Sequence, residues 1–140
     1  MSTFKRQSMN IELRKYKLKH TPIREELSRL FSESPNAIPL TEIHNHLKNY
    51  DRVTIYRSLS TFTNKGIIHK IINDNGSVFY ALCKHECGEH GHTHDHIHFE
   101  CNSCNSIECI DHHASLNINL KGYLVEDTQI SVRGLCPNCS

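Results

Sequence analysis

Two Cys-x-x-Cys pairs, Cys101/Cys104 and Cys136/Cys139, carry the most specific chemical signal in this 140-residue chain. Each pair can direct two thiolates at one ion, and two pairs complete a tetrahedron around zinc with Zn–S bonds of about 2.3 Å. Four thiolates leave no coordination position open for catalysis, and residues 83–140 contain few large apolar side chains to form a core without a metal. The pattern therefore predicts a structural zinc site, with a redox-active cysteine pair as the alternative.

A second group of potential metal ligands remains after those four cysteines are assigned. It consists of Cys83, His96, His98 and Cys109, with Glu108 as a donor that competes with Cys109. His96 and His98 lie two residues apart on a predicted strand, so both imidazoles are expected on one face. Two imidazoles and two thiolates favour zinc over magnesium, manganese or iron(II). The sequence therefore predicts a second zinc site, the alternative being buried thiols and solvated histidines.

Charge and metal-binding residues divide the chain into two parts. Residues 1–82 carry 13 Lys and Arg against 7 Asp and Glu, a net charge of +6, whereas residues 83–140 carry 3 against 8, a net charge of −5. All 7 cysteines and 8 of the 12 histidines lie in the second part. We expect a basic domain over 1–82, a His-rich linker over 83–95 and a zinc-stapled domain over 96–140. Cys87 is left unassigned. His90, His92 and His94 are expected to form a solvated tract that chelates metal only weakly.

The sequence also predicts where the protein resides. No run approaches the ~18 apolar residues of a membrane span, and the N-terminus lacks the apolar stretch of a secretory signal. We therefore expect a cytoplasmic protein without a membrane partner, in which clustered cysteines bind metal more readily than they form disulfides.

Capping residues and apolar spacing predict three helices in the basic part. Thr21 before Pro22 starts the first helix, Thr41 caps a second and Asp51 caps a third. Apolar stripes follow the first and third caps: Ile23, Leu27, Leu30 and Phe31, then Ile55, Leu59 and Phe62. A β-branched run over 67–72, a turn over 73–76 and a returning run over 77–82 then predict a hairpin. This order is that of a winged helix-turn-helix.

The second part is predicted to be a small α+β domain. Residues 96–100 alternate between polar side chains (His96, His98, Glu100) and apolar ones (Ile97, Phe99), which indicates a strand with two different faces. Residues 106–110 form another predicted strand, 114–121 a helix, and 123–125 and 129–132 closing strands. The whole chain is thus expected to be α+β.

The third helix and the segment before the first helix predict contacts to DNA. In a winged helix the third helix enters the major groove, where Arg reads guanine edges or clamps phosphate and Tyr contacts thymine methyl groups. Lys19 and Arg24 would add contacts to phosphates or the minor groove, whereas a merely solvated basic surface is the alternative. The expected contacts of the third helix come from Arg52, Thr54, Tyr56, Arg57 and Ser60.

These residues together resemble the ferric uptake regulator (Fur) family of bacterial metalloregulators. The resemblance implies a DNA-binding winged helix, a C-terminal dimerisation domain, a structural four-cysteine zinc and metal-dependent repression of promoter DNA. It also implies that Lys19 matches the family's minor-groove lysine and that Tyr56 and Arg57 match its recognition-helix contacts. The matching motifs are Lys19-His20-Thr21-Pro22-x-Arg24, Val53-Thr54-Ile55-Tyr56-Arg57-x-Leu59, Gly66-Ile67-Ile68, the His-x-His before Cys101, and Gly134-Leu135-Cys136-x-x-Cys139.

Departures from the family pattern favour its zinc uptake regulator branch. Ala37 or Ile38 stands where iron-sensing members have a regulatory His, and Tyr80 stands where they have a Glu. Cys83 resembles the wing-end cysteine of zinc uptake regulators, and Cys109 replaces a common Glu. A further family site is expected to be absent, since its positions read Asp95, Ile97 and Thr128.

The sequence as a whole predicts a homodimeric, zinc-responsive transcriptional repressor rather than an enzyme. Zinc held by Cys83, His96, His98 and Cys109 would join the end of the wing to the dimerisation domain and fix the angle between them. One alternative is a sensor of iron(II) or peroxide. Another is a zinc hydrolase, which would need an open coordination position and a carboxylate base such as Glu100 or Glu108.

Overall fold

The computed structural model of the chain describes residues 11–82, 96–111, 119–125 and 130–140, and it is an α+β fold. The predicted linker 83–95 and most of the predicted helix 114–121 lie outside these residues. A short 3-10 helix, Leu13–Tyr16, precedes the regular elements. These are α1 (Pro22–Glu33), β1 (Ile38–Pro39), α2 (Leu40–His46), α3 (Arg52–Asn64), β2 (Ile68–Ile72), β3 (Val78–Leu82), β4 (His96–Cys101), β5 (Ile107–Asp111) and β6 (Ile130–Gly134).

Two of the three helices begin where their capping residues predict. The Thr21 hydroxyl accepts the backbone N–H of Arg24 at 3.4 Å, and Pro22 occupies the first helical position of α1. The Asp51 carboxylate accepts the N–H of Thr54 at 3.0 Å, and these hydrogen bonds lower the pKa of Asp51. The predicted stripes form the core, except that Leu30 is only partly buried: Ile23, Leu27 and Phe31 of α1 pack with Ile55, Leu59 and Phe62 of α3.

The second helix starts two residues earlier than predicted, and Thr41 is not its cap. Pro39 is the N-cap residue of α2 and has an extended backbone (φ −61°, ψ 142°). The reason is a two-residue strand that the sequence analysis did not predict: Ile38 pairs with Tyr80 and is buried. The chain therefore enters α2 directly from a strand, and Thr41 is left exposed on the first turn.

The predicted hairpin is confirmed and has two buried faces. Strands β2 and β3 pair antiparallel and, with β1, form the N-terminal sheet in the order β1-β3-β2. One face, with Ile68 and Tyr80, covers the helices. The opposite face, with Ile71, Phe79 and Ala81, packs against strand β5.

The C-terminal sheet has the order β5-β4-β6, in which β4 and β5 are antiparallel and β4 and β6 are parallel. The predicted strands 96–100, 106–110 and 129–132 correspond to β4, β5 and β6, although residue 129 lies outside the described part. The predictions for residues 119–125 are wrong. Gly122 has a φ of 85° in a turn closed by the Tyr123 N–H and the Leu120 carbonyl, and the turn interrupts both the expected helix and the expected strand.

The two sheets contact each other along the outer face of the hairpin. Ile107 and Cys109 of β5 pack with Ile71 and Ala81 of the hairpin, and the Ala37 N–H donates to the Ile107 carbonyl at 2.8 Å. Among the described helices, none combines the length and the apolar character that crossing a membrane requires.

Candidate functional site

The four cysteines of the two Cys-x-x-Cys pairs meet in one cluster. Cys101 ends strand β4 and Cys136 follows strand β6, which is parallel to β4, so neighbouring strands deliver one pair each. The Asn102 N–H donates to the Gly134 carbonyl at 2.8 Å and joins the two loops directly. All four sulfur atoms lie within 4.8 Å of one another.

The spacing of these sulfur atoms fits a tetrahedral zinc ion. A tetrahedron with Zn–S bonds of 2.3 Å has S–S edges of about 3.8 Å. The Sγ atoms of Cys104 and Cys136 are 3.8 Å apart, which is far too long for a disulfide and equal to that edge. The four sulfur atoms are therefore close enough together to bind one structural zinc ion.

Local hydrogen bonds prepare the cluster for a cation. Backbone N–H groups of Cys104 and Cys136 lower the pKa of the Cys101 thiol to about 6, and the Cys136 N–H lies 3.4 Å from the Cys101 sulfur. A hydrogen bond to the Cys136 sulfur raises the pKa of Cys139 to about 12. A divalent cation that binds all four sulfurs as thiolates would displace the protons that remain on them.

A second cluster lies where the two sheets meet and consists of His69, His98 and Cys109. His69 comes from β2 of the hairpin, whereas His98 and Cys109 are direct partners across β4 and β5. Their potential ligand atoms all lie within 4.8 Å of one another, and His98 and Cys109 are buried. We refer to these three residues as the junction cluster.

The geometry of the junction cluster is close to that of a metal site. The His69 Nε2 and Cys109 Sγ atoms are 2.8 Å apart, and the two imidazoles stack with their centroids 5.2 Å apart. Tetrahedral zinc requires an N–S distance of about 3.6 Å between two ligands, so the pair would have to separate by less than ~1 Å. Two imidazoles and a thiolate at a buried junction fit zinc or another borderline ion.

His69 was missed by the sequence analysis, although one signal was present. It stands at the third position of a run that is isoleucine at every position except His69 and Lys70: Ile67-Ile68-His69-Lys70-Ile71-Ile72. Alternation places it on the same face as Ile71, which is buried. A histidine on the buried face of an aliphatic strand needs a polar partner there, and the partner could not be identified without knowing which surface covers the hairpin.

Among the other predicted ligands of the second zinc site, Glu108 is the one whose side chain the structure describes. Cys83 lies outside the described residues, and for His96 the structure describes the backbone, which pairs with Asp111. Glu108 pairs with Phe99, so strand alternation directs it to the face opposite that of Cys109. Of the two competing donors on β5, Cys109 is therefore the one brought beside His98.

The predicted DNA-contacting residues of α3 share an exposed surface. Arg52, Tyr56 and Arg57 are exposed, and Thr54 is half-buried. Val53, which was not predicted as a contact, is also exposed, and with Tyr56 it places apolar groups among the arginines. In a major groove, apolar groups can contact thymine methyls and guanidinium groups can donate hydrogen bonds to guanine edges, so this surface suits binding there.

Lys19 and Arg24 are joined in the segment that precedes α1. The Arg24 Nη1 atom donates to the Lys19 carbonyl at 3.0 Å, while the Lys19 side chain is exposed. Arg24 therefore holds the backbone that presents Lys19, which leaves the Lys19 ammonium as the freer group for a phosphate.

Comparison with known proteins places the chain in a family. The model of the ferric uptake regulator family matches residues 15–132. The ferric uptake regulation protein of Synechococcus elongatus is 28% identical over 98% of this chain and 96% of its own length. The zinc uptake regulation protein of Mycobacterium tuberculosis is 26% identical over 87% of this chain and 95% of its own length.

Solved structures share the fold. A zinc uptake regulator complexed with zinc and DNA superposes with a TM-score of 0.63 at 23% identity, covering 90% of this chain and 86% of that one. The ferric uptake regulator of Vibrio cholerae gives a TM-score of 0.57 at 20% identity over 89% and 96%. Because the family match over residues 15–132 covers most of the described chain and the whole junction cluster, this protein belongs to the ferric uptake regulator family, whose members are metal-dependent transcription regulators.

Proposed function

We propose that this protein is a zinc-responsive transcriptional repressor that binds promoter DNA as a homodimer. The observation that carries the proposal is the junction cluster, because His69 comes from the hairpin while His98 and Cys109 come from the C-terminal sheet. The residues before β4 form the winged helix-turn-helix, with α3 as the recognition helix. Relatives named for zinc uptake regulation and for zinc and DNA binding support this branch of the family.

Zinc at the junction cluster would act by restricting the orientation of the two halves. Cys83 and His96, as predicted from the sequence, supply further ligands from the residues around the domain junction. Without the ion, the DNA-competent orientation is one of several, and DNA binding must offset the conformational entropy lost on selecting it. With the ion, that orientation is already populated, so affinity rises.

The proposed dimer would use the C-terminal sheet. Its face opposite the hairpin carries Ile110 and Val132, which are 41% and 40% exposed, and the turn that follows residue 119 exposes Tyr123 and Leu124 at 75% and 90%. An apolar surface of this kind is typical of an interface between subunits. Two copies joined there would present two recognition helices to one operator.

A zinc titration of DNA binding tests the proposal. We expect fluorescence anisotropy with promoter DNA from zinc-uptake genes to show tight binding when two zinc ions are bound per chain. A chelator that removes only the more weakly bound zinc ion should abolish this DNA binding. Binding that is the same with and without that ion would refute the proposal, and a response to iron(II) but not to zinc would place the protein among iron sensors.

Replacing Arg57 with alanine should weaken zinc-dependent DNA binding. Arginine contacts to a base edge contribute about 1–3 kcal/mol, so the dissociation constant should rise by at least ~5-fold and discrimination at one base pair should relax. Anisotropy with operator variants measures both effects. Arg29→Ala, which makes the same change at an exposed arginine of α1, is the matched control and should change affinity little. Equal losses for the two variants would contradict a specific role of Arg57.

A further inference from the structure

Arg133 forms an ion pair that connects the two sheets. It lies on strand β6, and its guanidinium group pairs with the carboxylate of Asp74 in the turn between β2 and β3. The Arg133 Nε atom is also 3.7 Å from a carboxylate oxygen of Glu100 on the neighbouring strand β4. Glu100 and Arg133 therefore belong to the C-terminal sheet, whereas Asp74 belongs to the hairpin.

The turn that carries Asp74 is well defined by its own hydrogen bonds. The Asn73 side-chain oxygen accepts the N–H groups of Asn75 and Ser77 at 3.1 and 2.8 Å. Gly76 adopts a φ of 78° and donates its N–H to the Asn73 carbonyl at 3.0 Å. A contact made by Asp74 therefore restrains the hairpin as a whole, because these hydrogen bonds fix the turn relative to the two strands.

The Asp74–Arg133 contact lies some distance along the hairpin from the junction cluster. His69 is five residues before Asp74 in sequence, and the three residue steps from His69 to the end of β2 at Ile72 span about 10 Å. A small cavity between the two attachments is lined by Ile71, His98 and Ile107 together with Asp74 and Arg133. One attachment leaves the hairpin able to pivot about that point, whereas two separated attachments fix its direction.

We propose that Arg133 is a positioning residue that holds the hairpin turn against the C-terminal sheet through Asp74. The orientation of the DNA-binding half is then set at two points, of which zinc at the junction cluster supplies one and the ion pair supplies the other. This inference rests on the proposed zinc-dependent DNA binding. It adds a contact that acts without touching either the metal or the DNA.

The direction in which one substitution changes DNA affinity distinguishes a positioning role from a general electrostatic effect. Asp74→Asn removes a negative charge from the domain that meets DNA, so charge alone predicts tighter DNA binding. Positioning predicts the reverse. Asp74 and Arg133 are 74% and 45% exposed, and exposed ion pairs of this kind correspond to at most about a fivefold effect, so we expect zinc-loaded D74N to bind DNA about two- to fivefold more weakly.

A double-mutant cycle completes the test. R133A should weaken binding by a similar factor, and the D74N/R133A variant should be no weaker than either single variant, since one contact is lost in each case. Glu33→Gln, which removes an exposed carboxylate from α1, is the matched control and should not weaken binding. Unchanged or tighter binding by D74N, or additive losses in the double variant, would overturn the inference.

Hydrogen exchange provides a readout that does not depend on DNA. In the zinc-loaded protein, amides of the segment 73–77 should exchange faster in R133A than in the wild type, while two zinc ions remain bound. If the wild type shows no zinc-dependent DNA binding, the proposed function fails, yet the exchange experiment still reports on the contact. Equal exchange in R133A and wild type overturns the positioning role itself.

Discussion

Replacing Cys136 with serine should remove one zinc ion per chain and unfold the C-terminal half at 25 °C. The Cys136 side chain is buried and lies beside the sulfurs of Cys101 and Cys104, where the ends of strands β4 and β6 are joined. Structural zinc contributes about 10–16 kcal/mol to the folding of small domains, whereas a whole domain is stable by only about 5–15 kcal/mol. Zinc analysis of the purified protein and circular dichroism measure the two effects.

Cys87→Ser is the matched control for this substitution. It makes the same chemical change at a cysteine that is not among the ligands predicted from the sequence. We expect it to retain two zinc ions and an unchanged unfolding temperature. If the Cys136 variant also kept both ions and its fold, the four-cysteine cluster would not be a structural zinc site.

The elements that could be predicted from the sequence are those whose signals are local. Thr21 and Asp51 accept hydrogen bonds from residues three positions later, so the caps of α1 and α3 depend only on neighbouring residues. The two Cys-x-x-Cys pairs are also local signals, because the two cysteines of each pair are brought together by a single turn. Their meeting in space needed only that both turns follow adjacent strands.

The features that were not predicted depend on contacts distant in sequence. The two-residue strand before α2 exists only because Ile38 pairs with Tyr80 of the hairpin. His69 and Cys109 are 40 residues apart, and they meet because the outer face of the hairpin covers the C-terminal sheet. Alternation along 96–100 predicted two faces correctly but not which one is buried; the polar face with His98 faces the hairpin, while Phe99 is only partly buried.

Replacing His69 with glutamine should abolish the zinc response while leaving the structural zinc in place. Loss of residues that merely orient a metal ligand lowers metal affinity by about 10- to 100-fold, so loss of a ligand should lower it by at least ~100-fold. His69 is also the ligand that the hairpin contributes to the junction cluster, so any zinc that still binds could no longer join the two sheets through it. Zinc-binding isotherms and DNA anisotropy at fixed zinc measure the two consequences.

Three further variants determine which residues hold the regulatory ion. His46→Gln makes the same change at an exposed histidine of α2 and should leave zinc affinity unaltered. Cys109→Ser should match His69→Gln in both readouts, because each removes one donor of the same cluster. If His69→Gln binds the second zinc with wild-type affinity while Cys83→Ser does not, the ion joins the C-terminal sheet to the end of the wing instead of to strand β2. The hinge between the halves would then be restrained beyond residue 82, and the hairpin would be positioned by the Asp74–Arg133 contact without help from the metal.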